Sequence, residues 1–210
     1  MVDINFINEG YKQKGDVCAL ASYSIIIEHY SRRVVKMQSV FSNFVSYFPD
    51  LNKKITKVLN KTHANERSKV KENLISMEFH NYCKSANDKR GFDFFVELHN
   101  ANALNTRCYC HVIKSKALKS ENIDVNEVAI IRENLKSGGL AMVLFFTSED
   151  AHSIVVGYDK DKNEYFKSDT NARKIEYEDF LDLNMICEYI WFSNDARIID
   201  EYNSQVIPIQ

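Results

Sequence analysis

The chain has 210 residues, 45% of them hydrophobic and 27% charged, with a formal net charge of -2. That apolar fraction supports a packed core and excludes a disordered chain, while the near-neutral balance offers no electrostatic basis for binding nucleic acid or an anionic membrane. No apolar run approaches the roughly 18 residues needed to span a bilayer. The N-terminus, MVDINFINEGYKQKGD, lacks the basic and then apolar stretches of a secretory signal. A cytoplasmic protein is expected, or one exported by a route that leaves no cleaved signal. Five cysteines (Cys18, Cys83, Cys108, Cys110 and Cys187) are an odd number, which argues for free thiols in a reducing compartment rather than a disulfide framework.

In chain order, Asp16 is placed to cap a helix starting at Val17 or Cys18. The run CALASYSIIIEHY at 18–30 is apolar on most faces, which predicts a buried helix with Cys18 in its first turn. Residues 32–88 read as helical but polar, with Val40, Phe41, Phe44, Val45 and Phe48 at helical spacing until Pro49 and Asp50 interrupt the pattern. The stretch 52–65 reads as a solvated face or loop, 66–82 as a second helix and 92–101 as a short one.

Beyond Thr106 the texture changes. CYCHVI at 108–113 reads as a strand, and 125–139 as a helix closed by Gly138 and Gly139. The runs 141–147, 152–159, 163–169 and 187–193 read as strands, with DKDKN at 159–163 as a hairpin turn. EDFLDL at 178–183 reads as a short helix on the sheet. The fold class is α+β, with the helical half segregated from a mainly antiparallel sheet. One domain over 1–210 is expected, with 31–125 a helical subdomain inside it.

Three side chains stand out by position. Cys18 lies at a helix N-terminus, where the helix dipole favours the thiolate. His152 opens one strand and Asp169 ends the next, and an antiparallel pair sets such positions side by side. Each has an ordinary alternative: a buried core cysteine, a rim histidine, a turn aspartate. Together, in the order Cys, His, Asp, they make the nucleophile, base and orienter of thiol catalysis. Asn171, two residues past Asp169, is the competing orienter.

QKGDVCALAS resembles the nucleophile segment of papain-like cysteine peptidases. The stretch GGLAMVLFFTSEDAHSIVVGYDKDKNEYFKSDTN resembles their His–Asp half, and looks most like bacteriocin-leader peptidases. GDVCALAS is also similar to the nucleophile region of bacterial effector cysteine proteases and glutamine deamidases, whose closing Asp-Pro-Asn is here Asp169-Thr170-Asn171. The similarity covers about 13–30 and 126–190, and it departs from the family at Ala19, where Gly or an aromatic is usual, and at Thr170. It implies a papain-like fold, with the Gln13 amide and the Cys18 backbone N–H as oxyanion donors. It also implies a protein or peptide substrate, including a host protein if the chain is an effector delivered into another cell. Only 17 residues precede Cys18, so no papain-style inhibitory pro-segment is expected within this sequence, while one removed before it begins, or excision from a larger protein, stays open.

The leading expectation is therefore a hydrolase of amide bonds working through a thioester, without cofactor or metal. Glutamine deamidation and transglutamination share that machinery. Two rivals remain: a non-catalytic binding module of the same fold, and a zinc-binding helical adaptor using Cys83, Cys108, Cys110 and His111. In a strand, Cys108 and Cys110 share one face and His111 takes the other, which argues against joint ligation. His80 is a further potential ligand. His29, His63 and His99 form no ligand pair.

Overall fold

The computed structural model describes residues 17–31, 42, 44–46, 48–85, 95, 99, 111–112, 116–117, 125–146, 151–169, 174–179 and 186–193. Helix α1 spans Cys18–Ser31, α2 Pro49–Leu59, α3 Arg67–Ser85 and α4 Val125–Lys136. The strands are β1 His111–Val112, β2 Lys116–Ala117, β3 Leu140–Phe146, β4 Ala151–Asp159, β5 Glu164–Asp169, β6 Lys174–Tyr177 and β7 Ile186–Ser193. They form one sheet in the order β1-β7-β3-β4-β5-β6, with β2 also paired to β7. Every pairing described is antiparallel. The protein is thus α+β, with helices in its N-terminal half and an antiparallel sheet in its C-terminal half.

Helix α1 is central because its sequence has no polar side to turn outward. Every residue from Leu20 to Ile27 is buried, including Ser22 and Ser24. Leu20, Tyr23 and Ile25 to Ile27 join Leu140, Met142, Val155, Phe166, Ile190 and Phe192 of the sheet in one apolar cluster. Phe44, Val45, Leu51, Ile55 and Ile75 belong to the same cluster. The helical segment therefore shares a core with α1. The alternate strand residues Ala141, Val143, Ile154, Val156, Tyr189 and Trp191 are buried too. On that side α4 packs on β4 with Ile131 and Leu135 buried. Covering both faces is why these strands read as continuous apolar runs instead of alternating ones.

Pro49 begins a helix rather than breaking one. It occupies the first helical position after extended Phe48, where a missing N–H costs nothing. Leu51 and Ile55 are buried while Asn52, Lys53, Lys54 and Thr56 are exposed, so much of the polar 52–65 stretch is the wet face of α2. The closure of α4 follows the sequence. Gly138 has φ of 106°, its N–H donates to Leu135 O and that of Gly139 to Asn134 O, a Schellman ending. Two further elements differ from expectation. Residues 174–177 form the last strand of the sheet among the described residues, and Glu178 and Asp179 are not helical. Asp16, residues 108–110 and 180–183, and the side chains of His80, Cys83, Cys108, Cys110 and His111, lie outside the described residues.

Gly157 faces Phe166 across the β4–β5 pair. A Cβ there would collide with the Phe166 ring and come within 2.8 Å of Leu140 Cδ2, and both of those side chains are fully buried. Gly157→Ala is therefore expected to destabilise the fold by about 1–3 kcal/mol, as overpacking does. The measurement is the urea midpoint at unchanged m-value.

Candidate active site

Cys18 is the first residue of α1, and the first intrahelical bond runs from Ala21 N to Val17 O, 2.8 Å. The first N–H groups of a helix lie outside its ladder and carry the positive end of its dipole. Cys18 is half-buried and is not in a disulfide.

His152 is the second residue of β4 and Asp169 the last of β5. Their side chains meet, with Nε2 3.1 Å from Asp169 Oδ1, and are 18% and 32% exposed. The register refines the expected side-by-side arrangement. Carrying the ladder one step past Val155–Ser168 sets Ile154 opposite Asp169. His152 is therefore its diagonal neighbour on the same face, a gap that two side chains can bridge.

The same imidazole is hydrogen-bonded to the Cys18 thiol. With Nε2 turned to Asp169, Nδ1 is the nitrogen left to exchange a proton with sulfur. The Asp169 carboxylate, followed by the thiol, raises the His152 pKa from 6.5 to about 10 against the opposing effect of burial. The imidazole beside sulfur therefore holds its proton well above the ordinary histidine range.

The rim of the sheet brings the three together. Ser22, one turn after Cys18 on the same face of α1, donates its hydroxyl to Ser153 O, 3.1 Å away. That carbonyl is next to His152. At the same end of the sheet, Phe145 pairs with His152 on one side. On the other side its register to β7 shifts, leaving Cys187 as the extra residue of a bulge.

Of the residues singled out from sequence, Cys18, His152 and Asp169 converge. Gln13 and Asn171 lie outside the described residues. Among the described residues no group of three or more His, Cys, Asp or Glu could hold a metal ion. None of the described helices is long and apolar enough to cross a membrane. His99, set aside from sequence, is buried and shares a 3.1 Å hydrogen bond with Tyr23. The Ser22 contact escaped sequence reading, although a serine four residues after Cys18 in an otherwise apolar helix was its available signal. The chain matches no family model, no curated protein and no solved structure.

Proposed function

We propose that the protein is a cysteine-nucleophile hydrolase of papain-like arrangement, acting on an amide bond of a protein or peptide through a thioester. The observation that carries this reading is one imidazole held between the Cys18 thiol and the Asp169 carboxylate, at the N-terminus of a buried helix. The order Cys, His, Asp, with the nucleophile on a helix and the other two on adjacent antiparallel strands, supports it further.

In the proposed reaction the Cys18 thiolate attacks the carbonyl carbon and a C–S bond forms. In this reading the Cys18 backbone N–H would donate to the oxyanion. As the C–N bond breaks, the His152 imidazolium protonates the leaving nitrogen. Neutral His152 then takes a proton from water, whose oxygen attacks the thioester and expels the thiolate. Asp169 stabilises the imidazolium throughout. Cleavage of a main-chain amide and deamidation of a glutamine side chain differ only in which nitrogen leaves.

The test is alkylation of Cys18 by limiting iodoacetamide across pH, located by mass spectrometry, in wild type and His152→Ala. Wild type is expected to label Cys18 ahead of the other cysteines, nearly as fast at about pH 6 as at pH 8. Without His152 the labelling at about pH 6 should fall roughly tenfold. An ordinary thiol is ionised there to only roughly a few tenths of a per cent, and its more basic thiolate recovers part of that in nucleophilicity. Labelling of wild-type Cys18 that needs denaturation, or that ignores His152, would leave a non-catalytic binding module as the better reading.

A further inference from the structure

We infer that Ser22 is a positioning residue that sets the distance between nucleophile and base by tying helix α1 to the start of strand β4. The inference rests on the proposed hydrolase reading of Cys18 and His152. Ser22 is fully buried, and its hydroxyl bonds Ser153 O across 131 residues of sequence. Cys18 lies one helical turn before the donor and His152 one residue before the acceptor. A single bond therefore couples the backbones that carry the two reacting groups.

Beside the Cys18–His152 contact itself, that bond is a directional constraint between α1 and β4 at this corner. The β4–β5 ladder ends at Val155–Ser168, so Ser153 lies two residues beyond it and β4 is paired there to β3 through Leu144–Ser153. Packing fixes how closely α1 sits on the sheet but resists sliding along it weakly, because apolar contacts have no direction. A hydrogen bond does have direction, and sliding α1 along β4 would lengthen this one. Displacements near 1 Å at a reacting pair cost up to about a hundredfold in rate.

Two other residues of α1 provide controls. Ser24 is equally buried, but its hydroxyl bonds Leu20 O at 2.8 Å within the helix. Tyr30 ties the far end of α1 to Phe192 O of β7, also at 2.8 Å. Ser24→Ala removes a buried hydroxyl without touching β4, and Tyr30→Phe removes an α1-to-sheet bond remote from His152.

The experiment compares the pH profile of Cys18 alkylation in wild type, Ser22→Ala, Ser22→Thr, Ser24→Ala and Tyr30→Phe, with urea midpoints for each. Ser22→Ala is expected to slow labelling at about pH 6 by roughly 3- to 30-fold while changing it little at pH 9, the span of a displacement smaller than the roughly 1 Å that costs up to about a hundredfold. Ser22→Thr, which keeps the hydroxyl, should recover most of the rate at low pH. Both controls should lose stability yet keep the wild-type profile. If Ser22→Ala does not fold, Ser22→Cys keeps the volume with a weaker donor and should give an intermediate shift. A Ser22→Ala or Ser22→Cys profile that superimposes on wild type, or moves no further than the two controls, overturns the positioning role alone. A wild-type Cys18 with no enhanced reactivity at low pH overturns instead the hydrolase reading on which it rests.

Discussion

Cys18→Ala is expected to lower acyl transfer from p-nitrophenyl acetate by at least roughly 10³-fold, to the background of the other thiols. This activated ester asks nothing of the substrate cleft, so it reports the nucleophile alone. In wild type, nitrophenolate should appear in a burst as one acetyl group accumulates on Cys18. His152→Ala should lose most of the same activity, and the double variant should lose no more than Cys18→Ala by itself. Residues that act as a unit are strongly non-additive. Losses that multiply would mean that His152 acts independently of Cys18 and would break the proposed pair. Acetylation of Cys187 or another cysteine in place of Cys18 would remove the nucleophile assigned here.

Asp169→Asn is expected to reduce turnover of the same ester by roughly a hundredfold, within the range for a displaced or mistuned base. The amide keeps the size of the side chain and removes the carboxylate that contributes most to holding the imidazole protonated, chiefly by accepting its hydrogen bond. The variant also has a signature in stability against pH. The folded His152 pKa, about 10, lies above its unfolded value of 6.5. The contribution of this group is therefore fully present below about pH 6.5 and is lost as pH rises toward 10. Wild type should lose more stability across that interval than Asp169→Asn, read from urea midpoints near pH 6 and pH 9.5. Parallel losses in the two proteins would show that the carboxylate does not hold the proton on His152, and Asn171 would return as the competing orienter.

Much of this architecture was legible in the amino-acid sequence. Helix α1 announced itself as buried because CALASYSIIIEHY has no polar side, and α4 announced its end because only glycine adopts the backbone of Gly138 without strain. The hairpin around 159–163 was visible in its polar turn, where Asn163 takes φ of 59° and Asp159 Oδ1 accepts from Asp161 N at 3.0 Å. The helical role of Pro49 was legible only in part. Proline stops a helix coming from before it and starts one going forward, and the polar face of α2 hid the Leu51 and Ile55 stripe. Strand β6 was not legible at all. KIEY is short, and only its alternate residues Ile175 and Tyr177 pack on the core.

The sequence by itself determined which residue types were present for the proposed thiol chemistry and on which kinds of element they stood, because helix ends, strand ends and turns are written in local chemistry. The tertiary structure decided that they meet. His152 and Asp169 are diagonal rather than opposite because the β4–β5 register follows from which strand faces are buried, a property of the whole sheet. Cys18 reaches the same imidazole because α1 packs along that sheet with its first turn at the rim, and Ser22 bonds a carbonyl 131 residues away. Contacts across such separations depend on how two distant surfaces fit, and no spacing within the chain encodes them.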